Sequence, residues 1–358
     1  MRRLLNAVFR YLEDSARATA EAWDAFWFTP ADPTLLGLLR VLTGLMLLYT
    51  HAVWGLVLGD FFGPGGWLSD ELIRGLQEGG YAYSFWWIVP QGWMWPAYVV
   101  SMVVLALFTV GLWTRVTSIL ALVVTISFAH RAPVAMFGLD QINGMLTLYL
   151  AIGPSGRALS VDRWLAIRRG QPVALWRAPS VGANLAQRLI NVHMCVIYTF
   201  AGLSKLQGEA WWNGEAMWRA FANLEYQSVD MTWLAWHPWV MDLITHVSVL
   251  WEIFFCALIW RPRLRPLVLT LAVVLHVGIG ACLGMWTFGL IMLVGCASFL
   301  PNEAVRRLMD AWLPGQGKER SAVGLSWETL QGTAYRTSRH QPQDVEPALS
   351  GVGEGHRS

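Results

Sequence analysis

Lys205 closes an apolar stretch running from Ile190 to Leu203, and a tryptophan pair, Trp211 and Trp212, follows with an Asn-Gly turn (AGLSKLQGEAWWNGEAM, residues 201–217). An amine in low-dielectric surroundings gives up its charge more readily, because burial disfavours the ammonium form. A neutral amine can then take a proton. His276 falls near the end of another apolar stretch, on the same side. The expectation is one outward-facing pocket in which Lys205 is a base and His276 assists. Each residue also has a plainer use. A lysine at a span end commonly snorkels its ammonium to the interface, and a lone histidine on an apolar face commonly packs with a single hydrogen bond.

Other polar residues interrupt apolar runs. Arg40 lies in LLGLLRVLTGL, Asp140, Gln141 and Asn143 in GLDQING, and Asp242, His246 and Glu252 along residues 239–260. A charge inside a membrane span costs about 2.5–3.5 kcal/mol on insertion scales and marks a candidate site. Arg40, Asp140, Asn143, His246 and Glu252, with Trp211 and Trp212, are therefore the candidates for holding a cofactor. Arg40 could instead pair with Glu252 or Asp140 and fix helix packing. Asp140 and Asn143, three apart, share a helix face and could bind backbone or water between helices. His246 and Glu252, six apart, point in different directions. Cys195, Cys256, Cys282 and Cys296 lack CxxC spacing and read as packing residues. No metal is expected.

The elements that must position these residues are all helical. Hydrophobic residues make up 55% of the chain and charged residues 14%, with mean hydropathy +0.42. That leaves too little charge to cover a soluble protein of this length, so the expected solvent is lipid. Eight apolar segments can be drawn, at 34–58, 94–113, 117–130, 134–152, 183–203, 239–260, 266–281 and 283–300. A crossing needs about 20 residues. The third segment is short and the last two are separated only by a glycine-rich stretch, so the expected bundle has eight spans, with seven to nine as the range. Residues 1–33 mix Arg2, Arg3 and Arg10 with Leu4, Leu5, Val8, Phe9 and Leu12, the pattern of an amphipathic helix at the membrane interface. Residues 34–302 form the transmembrane domain. Residues 303–358 form a cytoplasmic tail, polar and largely disordered from about Gly315.

Charge distribution fixes an expected orientation. With the N-terminus inside, every lysine and arginine falls on the cytoplasmic side except Arg40, Arg74, Arg131, Lys205 and Arg219. Both termini are then cytoplasmic. The outer loops, 59–93 and 204–238, are long and rich in tryptophan, which belongs to an interfacial belt or roofs over a site.

AGLSKL, followed by a tryptophan and a Gly-x-x-Met, resembles the lysine motif of the horizontally transferred transmembrane (HTTM) domain family, which is related to vitamin K-dependent gamma-glutamyl carboxylase. Three further stretches match in the same order. PTLLGLLRVLTGLMLL around Arg40 is similar to the family's first span, RALSVDRWL (157–165) to its Ser-Val-Asp stretch, and LHVGIGACLGMWTFGLIMLVGCASFLP (275–301) to its histidine-bearing region. The resemblance spans residues 30–305. It implies a bacterial inner-membrane enzyme, a lyase by class, in which Lys205 deprotonates a reduced quinone (vitamin K hydroquinone or a menaquinol-like quinol), O2 oxidises the quinol, and His276 helps CO2 add to an acceptor. The implied partners are membrane lipid, the quinone and a peptide or protein on the outer face; nucleic acid is not among them. Two departures are visible: GLDQING replaces the family's Asn-His element, and the chain carries no large lumenal C-terminal region. His246 and Glu252 resemble a family His–acid pair with the spacing off by one. A non-catalytic protein of the same fold, binding a quinone, lipid or partner, is the alternative; a transporter has less support, for want of an internal repeat.

Overall fold

The computed structural model describes residues 1–312 apart from 64 and 79. The described chain is helical, and its only β-pairing is an isolated antiparallel bridge between Ala31 and Ser180. The longer helices are α1 (Arg2–Phe28), α2 (Thr34–Leu56), α3 (Met94–Val110), α4 (Thr114–Arg131), α5 (Gly138–Ile152), α6 (Val181–Lys205), α7 (Pro238–Leu258), α8 (Arg265–Leu283), α9 (Trp286–Ala297) and α10 (Asn302–Trp312). Residues 1–307 form one compact unit, and the second, 308–358, is described only to Trp312. The expected cytoplasmic tail thus begins with helix α10, and the part expected to be disordered, from about Gly315, lies outside the described residues.

Four segments are long and apolar enough to cross a membrane: Thr34–Leu56, Gln91–Val110, Pro238–Leu258 and Arg265–Leu283. A fifth is added if α9 and the start of α10, bent by 110°, are taken as one span. α5 and α9, of 15 and 12 residues, are shorter than a full crossing.

Local chemistry moves several boundaries from where hydropathy puts them. α3 stops at Val110 because Gly111, at φ 72°, makes a left-handed cap. α4 begins at Thr114, three residues early, because the Asp162 carboxylate accepts from the backbone N–H groups of Trp113 and Thr114 and from the Thr114 hydroxyl. α5 begins at Gly138 rather than 134, since Asp140 reaches back to the Phe137 N–H at 3.2 Å. Gly284, at φ 69°, separates α8 from α9.

Hydrogen bonds close the two ends of the bundle. At one, Asn184 donates to the carbonyls of Phe26 and Trp27 at 2.8 and 2.9 Å, and Gln187 to that of Ser298 at 2.9 Å. At the other, Gln77 donates to His130 O at 3.0 Å and Ser228 to Ala281 O at 2.6 Å. Between them, glycines let helices approach closely, the usual device where lipid removes the hydrophobic drive for helix association. A Cβ on Gly202 of α6 would meet Ile253 Cγ1 of α7 at 2.8 Å, and one on Gly289 of α9 would meet the His276 carbonyl oxygen of α8 at 2.5 Å. α1 contributes no buried residue and leaves Leu4, Leu5, Val8, Phe9 and Leu12 exposed. Of the cysteines expected in the core, Cys195 and Cys296 are buried, Cys282 is half-buried and Cys256 is exposed.

Candidate functional site

α6 starts where the Ser180 hydroxyl caps the Ala183 N–H and ends at Lys205. Because Gly202 brings α6 tightly against α7, with its Cβ position 3.2 Å from that of Glu252, the Lys205 amine reaches and donates to Glu252 Oε2. Both side chains are mostly covered, at 25% and 17% exposure. The amine also lies 5.3 Å from the ring centre of Trp211, on the short helix Glu209–Trp212. Lys205 is thus not the solitary amine expected from its setting. It shares a proton-holding pair with a carboxylate, and a low-dielectric site favours that pairing over leaving either group alone.

His276 is 4% exposed. Its Nδ1 lies 2.8 Å from the Ala272 carbonyl, which can only accept, so Nδ1 carries the proton and Nε2 is the acceptor. The Tyr198 hydroxyl, 3.3 Å from Nε2, therefore donates to His276, and its oxygen is left to accept from the Cys296 thiol at 3.2 Å. Aromatic rings fix Tyr198: Phe255 and Trp251 at 4.4 and 4.8 Å between ring centres. Trp251 is anchored in turn by its indole N–H, which donates to Val268 O at 3.1 Å.

Lys205, Glu252, Tyr198 and His276 line one cavity of about 1170 Å³. Trp251, next to Glu252 in the chain, lies 6.1 Å from the His276 ring centre to centre. α4, α5, α6, α7 and α8 supply most of the lining, and Phe288 and Met292 of α9 complete it. The lining is mostly apolar and includes the two polar pairs and, from α5, Asp140 and Gln141. Gly138, at the start of α5, packs on the Phe288 ring, which lies 6.5 Å from His276. Small-molecule sites commonly measure roughly 300–1,000 Å³ and place a few polar groups in an apolar wall. This one has that character and is somewhat larger than that range.

The remaining sequence candidates divide. Trp211 lines the cavity; Trp212 does not, being 64% exposed with its indole N–H donating to Leu206 O at 2.7 Å. His246 also lies outside, held by Asp242 at 3.0 Å and by the Trp212 carbonyl at 3.3 Å. Asn143 is buried beside the cavity without lining it, and neither its amide nitrogen nor its oxygen has a partner.

Arg40 bonds to neither Glu252 nor Asp140, the carboxylates offered as alternative partners, and does not line the cavity. Its guanidinium donates to the carbonyls of Ser155 (2.6 Å), Ala158 (3.3 Å) and Leu159, and among the described residues no carboxylate forms an ion pair with it. A Cβ at Gly111 would sit 2.7 Å from Arg40 Cζ, so the glycine is needed for contact as well as for its φ. Arg40 and the Ser-Val-Asp stretch thus form one clamp. Ser160 caps the helix Val161–Arg168, Asp162 caps α4, and Arg40 ties the intervening loop to α2. This is a positioning role at the end of the bundle away from Lys205.

Sequence reasoning missed Tyr198, although a signal was present. It lies seven residues before Lys205, which returns a helix to within about 20° of the same face. The chain matches no protein-family model, no curated protein and no solved structure.

Proposed function

We propose that this chain is a membrane-embedded enzyme that oxidises a quinol with dioxygen, of the carboxylase-like kind its motifs resemble, in which the Lys205–Glu252 pair accepts the quinol proton. The observation that carries the reading is the meeting of Lys205–Glu252 and His276–Tyr198 in one large, otherwise apolar cavity. A quinone headgroup fits such a place, because its flat ring and isoprenoid tail need apolar walls and its hydroxyls need polar partners. Trp211, Trp251 and Phe288 offer ring faces for stacking. Bound there, a quinol supplies an acidic hydroxyl and the electrons that reduce O2. The Glu252 carboxylate takes up the hydroxyl proton, and the Lys205 ammonium, no longer matched by that carboxylate, then balances the negative charge left on the quinol oxygen. The Ala272 carbonyl fixes the His276 tautomer, Tyr198 holds its Nε2, and the apolar walls exclude water. Addition of CO2 to an acceptor on the outer side is part of the same proposal.

We read α2–α9 as eight spans of a bacterial inner-membrane protein with both termini in the cytoplasm. The distribution of arginines supports that orientation, together with the position of the cavity at the end of α6 remote from the Arg40 clamp. A second reading, a non-catalytic protein holding a quinone or lipid in the same cavity, is favoured by one observation: Glu252 already satisfies the Lys205 amine. Oxygen uptake by the purified protein with a reduced menaquinone or vitamin K hydroquinone distinguishes the two. Quinol-dependent uptake is expected; tight quinone binding without uptake would leave the second reading standing.

A further inference from the structure

The second concentration of unusual chemistry lies at the opposite end of α6. Arg188 stands 17 residues before Lys205, hence about 25 Å away along the helix at 1.5 Å per residue. That separation approaches the hydrocarbon thickness of a bilayer, roughly 30 Å, so the two residues stand near opposite interfaces. The Arg188 guanidinium is stacked, with Cζ 4.5 Å from the Phe26 ring centre of α1 and 5.6 Å from that of Trp260, which follows α7. The two rings pack edge to face at 5.4 Å.

This site holds positive charge without compensation. The turn RPRLRP, which follows Trp260, carries Arg261, Arg263 and Arg265 and is closed by the Leu264 and Arg265 N–H groups donating to Arg261 O. Arg265 is held to the same turn, its Nε donating to Ile259 O at 3.2 Å, one residue before the Trp260 ring on which Arg188 stacks. Among the described residues no carboxylate forms an ion pair with Arg188, Arg261, Arg263 or Arg265. Two buried donors here also lack partners, Arg188 Nε and the indole N–H of the neighbouring Trp27. Arg265 is moreover the first residue of α8, a helix of 19 residues whose N-terminus adds partial positive charge. Guanidiniums without a carboxylate, unpaired donors and a helix N-terminus together describe a place that lacks an anion.

We propose that Arg188 and Arg265, flanked by Phe26 and Trp260 where α1, α6 and the α7–α8 turn meet, bind the phosphate of an anionic phospholipid headgroup. A phosphate diester accepts from both guanidiniums at once. Basic recesses between spanning helices on a positively charged membrane face suit such headgroups. The aromatic pair marks the interfacial depth at which a lipid phosphate sits, and the acyl chains then lie along the exposed apolar surface at the start of α8, at Leu267. Free phosphate shares the chemistry but has no use for that surface. The site is independent of the quinol cavity.

Native mass spectrometry of the full-length protein in detergent tests the assignment. The arms are titration with phosphatidylglycerol, phosphatidylcholine of the same chains, or inorganic phosphate. Phosphatidylglycerol is expected to bind in preference to phosphatidylcholine, with about a fivefold loss of affinity for each of Arg188→Gln and Arg265→Gln. Arg188→Lys keeps the charge but loses the planar stack, and is expected to fall between. Arg219→Gln, which removes an exposed arginine paired with Glu215, is expected to change nothing. Should Arg188→Gln fail to fold, Arg265→Gln gives the same reading. Equal binding of both lipids, binding unchanged by either substitution, or capture of inorganic phosphate without lipid preference would overturn the proposal.

Discussion

The Tyr198 hydroxyl donates across 3.3 Å to Nε2 of His276, and the direction of that bond is set from the far side of the ring by the Ala272 carbonyl. Tyr198→Phe keeps the aromatic packing and removes only the oxygen. It leaves Nε2 of a buried imidazole without a donor, a loss of about 1–3 kcal/mol. The expected outcome is a lower thermal midpoint in detergent with the fold retained. An unchanged midpoint would mean that a water takes the place of the hydroxyl.

The close approaches at glycine place the reacting groups as much as the groups themselves do. Gly289→Val drives a side chain into the His276 backbone, and Gly202→Val drives one into Ile253 and Glu252. Overpacking of this sort costs about 1–3 kcal/mol. Both variants should lose quinol affinity as well as stability, since each displaces one of the polar pairs. Isothermal titration with a short-chain quinone analogue, read beside thermal unfolding, measures the two losses separately.

Arg40 and His246 give the contrasting case. Arg40→Gln leaves the carbonyls of Ser155, Ala158 and Leu159 short of a charged donor, each such bond being worth about 1.5–3 kcal/mol. Expression and unfolding temperature should fall sharply. Quinone affinity in the protein that survives should match the wild type, because the side chain lies outside the cavity. His246→Ala should alter neither quantity by much, since the residue is held at the surface by Asp242 and Trp212.

These contrasts mark how far the sequence is legible. The helical class and the apolar segments follow from composition, and Lys205 stands out because a charge ends a long apolar run. Periodicity tells which face a side chain is on but not which helix it faces. So the partner of Lys205, Glu252 on the next long helix, could not be chosen over other acids, and Arg40 was offered two carboxylates when its partners are backbone carbonyls. No residue pattern announces a carbonyl. Tyr198 was readable from its spacing to Lys205 but looked like ordinary aromatic filling. The short start of α5 was hidden because Asp140 works as a cap there while also lining the cavity.

Topology is open to direct measurement. Cysteines placed at Tyr81 and Leu224, both fully or largely exposed, should react with a membrane-impermeant maleimide from outside intact cells. One at Gln171 should react only after lysis. The native Cys256 must be replaced first, because it is exposed. Gly214 is a poor labelling site, since its φ of 80° strains any side chain.

The shared cavity of Lys205 and His276 is tested most directly by single-turnover oxidation of a bound quinol by purified protein, with quinone binding measured on the same samples. Lys205→Ala and Glu252→Gln are each predicted to bind quinone within about threefold of wild type yet to oxidise the quinol at least 100-fold more slowly, a loss within the range of general acid–base catalysis. Wild-type rates in both variants, with binding intact, would contradict the assignment of that pair as the proton acceptor.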